Sequence, residues 1–464
     1  MSTQSRLLRG GARAAVGLIV VGVAASAVLL LNNATLPAVA REPLAITVDT
    51  TLDTARTLVC AGSFTELGAD PSRPGVAIPT GAPAVTIAGK AEASTELTRV
   101  ENGTGLPTVL TSPADVPLGA AQIQAVTTEV LRGTAASSCT EPVNEQWLLG
   151  GSTTLGVSTT LSLANPGKVP ATVQITVYDE NGPVDAVQTS GVLVAPGEEQ
   201  IVSLNGYAPE RERLAVQVVS SGAPVSAALG VGEVSGIQPF AVSSVTRQLE
   251  SATTLVVPGI TNVSTDTHEH TDNVVDHDEF PVAVRVLAPG GETATATVRA
   301  IDKNGKSTNL GDIALSDNGV GELIVEHWPE QANAVVIEAD APVIGGVRGS
   351  SFTGSAHDYE WFTPAPTLQA DTPVAVPVVG GGKLVIANTG ESEANIEYTA
   401  AGGKTRKAVV PDGASIVVNA AAKSVLTSSA PVTAGVRYLS GADIAGYPVL
   451  PADSRDGALT VYTR

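Results

Sequence analysis

The sequence predicts an all-β protein, built as tandem immunoglobulin-like β-sandwich domains after a single N-terminal transmembrane helix. Three observations support this fold class. Short runs of alternating apolar and polar residues are separated by turn residues, with 47 Gly and 30 Pro in 464 residues. One unit of strand, turn, strand and turn recurs three times along the chain. A long uncharged apolar run lies near the N-terminus.

Composition favours narrow cores between paired sheets. Hydrophobic residues make up 43% of the chain but aromatic residues only 3%. Small and β-branched side chains therefore supply most of the apolar volume, which suits sheets packed about 10 Å apart. A chain of 464 residues is too long for one core, so we expect several domains.

The N-terminal segment predicts a membrane anchor. Arg6, Arg9 and Arg13 precede the uncharged run 14–31, which as a helix would span roughly 27 Å, close to the thickness of a bilayer core. Positive flanks stay on the cytoplasmic side, so 1–13 is expected in the cytoplasm and the bulk of the chain outside. The alternative is a signal peptide cleaved near Ala40, which would release a secreted protein.

A tether, 32–43, leads into a first β domain at 44–145 that contains both cysteines of the chain, Cys60 and Cys139. In an oxidising compartment two cysteines favour one disulfide, here closing a loop of about 80 residues. Two free thiols or an intermolecular bridge are the alternatives.

The recurring unit defines the remaining domains. Its fullest copy is 161–182, and shorter copies begin at Val284 and Leu384. Each contains a turn after the first strand: Asn-Pro-Gly, Ala-Pro-Gly or Asn-Thr-Gly. An Ala-Pro-Val tripeptide follows in each copy, beginning at 223, 341 and 430. The ordered landmarks predict repeats at 146–250, 251–366 and 367–464, arranged as a string. Whether 44–145 is a fourth copy stays open.

Several stretches carry a family resemblance. They are 148–151 (Leu-Leu-Gly-Gly), 161–167, 171–178, and 58–62 (Leu-Val-Cys-Ala-Gly) after an N-terminal apolar segment. Together they resemble an actinobacterial family of membrane-anchored or secreted proteins that is classed as a domain of unknown function. The resemblance implies location and architecture but no reaction.

The His-rich insertion at 262–280 is one candidate site. Imidazole and carboxylate groups suit Zn²⁺ or another divalent ion, and the alternative is a solvated acidic loop. The candidate ligands are His268, His270, His277, Asp266 and Asp272.

A second candidate is the aromatic cluster of His357, Tyr359 and Trp361. Aromatic rings beside polar groups can stack on sugars or grip a partner. The alternative is a core plug at a domain junction, because Trp147 occupies the equivalent place.

Charge and motifs restrict the function. A net charge of −20 repels nucleic acid, so no nucleic-acid partner is expected. We find no catalytic constellation and expect no enzyme and no cofactor. The sequence predicts a non-catalytic extracytoplasmic protein of the cell envelope with a binding or spacer role. Its partners would be the membrane, through 14–31, and an unknown envelope protein or wall polymer. The alternative is an accessory factor for cell-surface glycan assembly, or a carbohydrate-binding protein.

Overall fold

A computed structural model describes residues 19, 21–23, 25–26, 45–48, 55–100, 103–113, 116–185, 191–265, 278, 280–354, 356–399, 402–452 and 459–462. The chain is 58% strand and 3% helix, which confirms the all-β class. One short helix, α1 (Leu204–Tyr207), follows a strand directly.

The predicted anchor, 14–31, lies largely outside the described residues. Positions 19, 21–23 and 25–26 within it are helical. Among the described residues, no helix is long and apolar enough to cross a membrane. The anchor and the alternative cleavage near Ala40 therefore stay predictions.

The chain divides into two compact units. In the first, β1 (Ala45–Val48) pairs antiparallel with β36 (Leu459–Tyr462). The second, Asp53–Ser454, contains all the other strands, and we describe it as four modules defined by their strands.

Module 1 contains nine short strands and the disulfide. Cys60 and Cys139 are bonded, with their Cα atoms 4.2 Å apart, which confirms the predicted pairing. The strands are β2 (Arg56–Cys60), β3 (Thr65–Leu67), β4 (Ala77–Pro79), β5 (Ala84–Gly89), β6 (Ala93–Glu96), β7 (Thr98–Arg99), β8 (Thr108–Ser112), β9 (Leu118–Thr127) and β10 (Arg132–Ser138).

Module 2 encloses one apolar core between two sheets, ordered β11-β17-β13-β14 and β19-β18-β12-β16, with β15 pairing with β13. Its strands are β11 (Glu145–Leu149), β12 (Val157–Asn165), β13 (Ala171–Asp179), β14 (Gly182–Pro183), β15 (Val192–Val194), β16 (Glu198–Ser203), β17 (Ala215–Ser221), β18 (Ser226–Ser235) and β19 (Gln238–Val245).

Module 3 repeats this plan around one long strand, β26, which belongs to both of its sheets. Its strands are β20 (Ala252–Pro258), β21 (Asn262–Thr265), β22 (Val282–Leu287), β23 (Ala294–Asp302), β24 (Ser307–Leu315), β25 (Gly321–Val325), β26 (Ala332–Thr353) and β27 (Ala356–Phe362).

Module 4 has two four-stranded sheets, ordered β28-β33-β30-β31 and β32-β29-β34-β35. Its strands are β28 (Val374–Val376), β29 (Lys383–Ala387), β30 (Ala394–Thr399), β31 (Thr405–Val410), β32 (Ser415–Val418), β33 (Ser424–Ser428), β34 (Thr433–Ser440) and β35 (Asp443–Pro448).

The recurring turn connects the two sheets of a module. In module 2 the buried Asn165 amide donates to the Val169 and Val194 carbonyls, and its oxygen accepts from the Gly167 N–H. Asn388 makes the matching bonds in module 4, including the one from the Gly390 N–H. The asparagine side chain thus satisfies backbone groups that a turn inside the fold would leave unpaired.

The last strands of the four modules meet at the centre. Strands β10, β19, β27 and β35 contact one another in that order, and β35 contacts β10 in turn. The Ser138 hydroxyl donates to the Pro448 carbonyl, so module 1 is hydrogen-bonded to module 4. The modules form a closed ring, and the expected string is wrong. Strand periodicity is local information and does not report contacts between distant modules.

An arginine side chain crosses each junction of the ring. In order, these contacts are Arg99 to the Glu199 carboxylate, Arg285 to the Gly151 carbonyl, Arg437 to the Ile260 carbonyl and Arg56 to the Pro451 carbonyl.

Candidate functional site

A cleft lies between modules 1 and 2, and strand β16 forms its floor. It has a volume of about 680 Å³. Four consecutive residues of β16, Gln200–Ser203, line it. Successive side chains of a strand point to opposite faces, so a cavity can touch all four only where it runs along the strand's edge.

Both modules supply the walls of this cleft. Leu67 and Gly75 come from module 1, on one side of β16, and Val192 and Tyr207 from module 2. A smaller cavity of about 180 Å³ adjoins it and shares Gly75 and the outer residues of β16. We refer to the two together as the β16 groove. Its larger part falls within the size range of about 300–1,000 Å³ that is usual for ligand sites.

A buried ion pair lies at the inner end of the β16 groove. Arg99 Nε donates to Glu199 Oε2 at 2.5 Å, and the two side chains are 2% and 1% exposed. The Ser162 hydroxyl donates to the other carboxylate oxygen at 2.5 Å. Burial raises the pKa of Glu199, and Arg99 and Ser162 oppose that shift. The pair is held by strand pairing, because β7 runs parallel to β16 and sets Arg99 beside Glu199.

One donor of this pair is unused. Arg99 Nη2 is buried and has no hydrogen-bond partner among the described residues. Its neighbour Nη1 reaches only the Ser63 hydroxyl, at 3.4 Å. Since both Arg99 and Glu199 line the smaller cavity, the free N–H groups are available to an acceptor in the groove. A buried donor without a partner is costly, which makes this position a candidate contact for a ligand oxygen.

The ring centre contains a different buried carboxylate. Asp358 Oδ2 accepts from the backbone N–H groups of Thr134 and Ile444, at 2.9 and 3.2 Å. Its Oδ1 accepts from those of Val242 and Tyr359, at 3.2 and 3.1 Å. Burial raises the pKa of Asp358 well above its usual range, and the backbone donors oppose this. One side chain of module 3 thus contacts the backbone of the other three modules.

Glu360 is the second buried acid on β27. It accepts a hydrogen bond from the Ser243 hydroxyl at 3.0 Å, and burial raises its pKa well above the usual range. Gly133 fits against Asp358, because a Cβ atom there would lie 2.4 Å from Asp358 Oδ1. The centre is therefore closed to ligands and acts as a junction.

The predicted aromatic cluster is part of this junction. His357, Tyr359 and Trp361 are 4%, 2% and 2% exposed, and the last two belong to the apolar core of module 2. The Arg285 guanidinium lies over the Trp361 ring at 4.5 Å. These side chains are buried in packing contacts and do not form a surface, which favours the alternative of a core plug. Ligand binding by them stays a prediction.

The histidine in this cluster is unusually placed. The centroid of its ring lies 4.0 Å from the ring centroids of both Phe240 and Phe280. Neither ring nitrogen has a hydrogen-bond partner among the described residues. Burial, with help from Arg348 and Arg132, lowers the pKa of His357 from 6.5 to about 3.

The predicted metal ligands, His268, His270, His277, Asp266 and Asp272, lie outside the described residues. Within the described part of the chain, no group of three or more His, Cys, Asp or Glu side chains could hold a metal ion. Asp278, at the end of the insertion, accepts from the Asn262 amide and the Trp328 N–H. A metal site in the insertion stays a prediction.

Sequence analysis missed the Arg99–Glu199 pair. The two residues are 100 positions apart, and each stands in a stretch that a polar surface strand would also explain. Glu199 is buried although its neighbours Glu198 and Gln200 are polar and only partly buried, so no local pattern in the sequence marks it.

The sequence matches one family model, the family of unknown function DUF5719, over residues 97–422. None of the curated proteins matches the sequence. The family match covers modules 2 and 3 in full, module 1 from β7 onward and module 4 as far as β32, and it includes both Arg99 and Glu199. The actinobacterial, membrane-anchored character that the resemblance implied stays a prediction. The chain belongs to the DUF5719 family of unknown function.

Proposed function

We propose that this chain is a non-catalytic protein of the cell envelope that binds a partner molecule in the β16 groove. The tandem modules would be immunoglobulin-like, and the run 14–31 would anchor them outside the membrane. The groove carries the proposal, because it combines an open cleft of about 680 Å³ with a buried, partly unpaired guanidinium.

Location is supported by the chemistry of the chain. The N-terminal arginines and the uncharged run 14–31 suit an exported, anchored protein. The Cys60–Cys139 disulfide suits an oxidising compartment. A spacer role has less support, since a ring that returns to its first module does not extend with each added module.

Carbohydrate binding is the second candidate. The groove offers Gln200, Ser203 and Asn205 beside the half-buried Tyr207. Amide and hydroxyl groups next to an aromatic ring are suited to sugars.

Three measurements test the proposal. Protease added to intact cells that express the full chain should remove a C-terminal tag, and intact mass should tell an anchored chain from one cleaved near Ala40. Cross-linking in native membranes, followed by separate analysis of bound protein and glycan, should identify the partner class. A tag that stays protected in intact cells, with the chain in the cytoplasmic fraction, would overturn the proposal.

A further inference from the structure

The backbone direction along β16 shows which of its groups face the groove. The Thr98 N–H of β7 donates to the Gly197 carbonyl at 2.9 Å. Peptide groups alternate in direction along a strand, so Glu199, Ile201 and Ser203 direct their backbone N–H and C=O toward the β7 side. Even-numbered residues face β12, with which β16 is paired from Glu198 to Ser203.

Strand β7 covers only the first part of this edge. It pairs with Glu198 and Glu199 and ends at Arg99. No other strand in the described part of the chain pairs with β16 on that side. The Ile201 carbonyl accepts a hydrogen bond from the Gln200 side-chain amide, at 3.2 Å. The Ser203 carbonyl accepts the first hydrogen bond of α1, because Ser203 is the N-cap of that helix. The free part of the edge, on the floor of the groove, is therefore the outward groups of Ile201 and the Ser203 N–H.

The matching edges in modules 3 and 4 meet the preceding module. In module 4, β32 occupies the place of β16, and its Ser415 hydroxyl donates to the Ile301 carbonyl of module 3 at 3.5 Å. In module 3, Glu322 of β25 forms ion pairs with Arg285 and with Arg213 of module 2. At β16 the preceding module instead leaves a cleft of about 680 Å³.

We infer that the β16 groove receives an extended polypeptide segment, which adds to the free edge of β16 as the next strand after β7. This inference rests on the proposed binding function and names its partner class. A strand at this edge would accept backbone hydrogen bonds from the N–H groups of Ile201 and Ser203. Leu67 would contact one of its faces, and Val192 and Tyr207 the other. Arg99 Nη2, where β7 ends, would donate to a carbonyl of the incoming segment.

A displayed library of linear peptides is the probe, and the full chain in detergent is the target. Selected peptides are synthesised with and without N-methyl groups on alternate backbone nitrogens. N-methylation in the register that faces β16 should lower affinity by about tenfold or more, because it removes backbone donors and leaves the side chains intact. Equal binding in both N-methyl registers would overturn the inference, as would selection of no peptide.

Ile201→Pro tests the protein side. Proline removes the outward N–H, and it is tolerated at an edge position that donates to no neighbouring strand. We expect about a tenfold loss of peptide affinity. The matched control is Val417→Pro, the corresponding position of β32, which should bind within about twofold of the parent chain. Denaturation midpoints of both variants identify any loss that comes from misfolding. If a variant misfolds, the inference is tested instead by comparing the two N-methyl registers for binding to the parent chain.

Failure of strand addition at β16 can be distinguished from failure of the proposed envelope-binding function. If envelope cross-links or glycan retention survive Ile201→Pro unchanged, the binding function stands and strand addition at β16 fails. If wall oligosaccharides bind the groove and no peptide does, the occupant is a glycan and the inference is overturned. A cytoplasmic location would refute the envelope proposal while leaving the peptide measurement valid.

Discussion

The ring centre and the β16 groove each bury a carboxylate, and they satisfy it in opposite ways. Asp358 is surrounded by four backbone N–H groups from all four modules. Glu199 is paired with one guanidinium, which keeps an unused donor beside an open cleft. The first arrangement uses all of the carboxylate's acceptor capacity to join modules. The second leaves the Arg99 Nη2 donor without a protein acceptor among the described residues, and a binding site requires such a donor for its ligand.

The largest expected effect is at the ring centre. Asp358→Asn replaces one acceptor oxygen with a nitrogen that cannot accept, so two buried backbone N–H groups lose their partner. We expect the free energy of unfolding to fall by about 3–5 kcal/mol. Denaturant titration followed by the fluorescence of the buried Trp147 and Trp361 measures it.

The control is Asp443→Asn. Its carboxylate pairs with Arg132, but both side chains are about one-third exposed, so the loss should stay below about 1 kcal/mol. Equal losses in the two variants would contradict the role of Asp358 as the junction.

A double-mutant cycle at the groove comes next. Arg99→Met or Glu199→Met alone leaves a buried charge without its partner and should cost about 3 kcal/mol. The double variant removes both charges, and its loss should be smaller than the sum of the two single losses by at least about 1 kcal/mol. Additive losses would show that Arg99 and Glu199 do not act as a pair. Denaturant midpoints of the four chains measure the cycle.

The smallest effect concerns His357 and pH. Its folded pKa, about 3, lies below the unfolded value of 6.5, so below pH 6.5 the unfolded chain binds a proton that the folded chain does not. This lowers stability as pH falls, by roughly 1.4 kcal/mol per pH unit between about pH 6 and pH 4. His357→Phe should remove that part of the slope, because phenylalanine does not titrate.

At pH 8 the histidine is neutral in both states, so the two chains should differ little there beyond packing. Unfolding measured at pH 4, 5, 6 and 8 gives the comparison. An unchanged acid slope in His357→Phe would show that other groups cause it.

Local features of the fold could be predicted from sequence. Burial along β13 alternates over much of Ala171–Asp179, as its apolar and polar residues do. Asn165 and Asn388 make the same turn because an Asn side chain can bond its own backbone two residues on. The disulfide followed from the number of cysteines and the expected compartment. In each case the information lies in neighbouring residues or in composition.

Contacts between modules could not be predicted in this way. The sequence predicts equivalent places for Trp147 and Trp361, but Trp147 lies in β11, the first strand of module 2, and Trp361 in β27, the last of module 3. The groove has the same difficulty, because its ion pair joins residues 100 positions apart. Sequence repeats predict the strands and turns within each module, but they do not predict the contacts between one module and the next.

The bond from Arg56 to the Pro451 carbonyl joins residues 395 positions apart, and this has a kinetic consequence. A module can form its own sheets as soon as its strands have been synthesised, but the ring cannot close before module 4 exists. Until then, Asp358 lacks the hydrogen bond from the Ile444 N–H, and module 1 lacks its contacts with module 4. Closure over such a separation is slow compared with local pairing. Assembly of the native state is therefore a late event, coupled to completion of the polypeptide, and a chain that ends before β35 would leave β10 and β27 without the contacts that β35 makes.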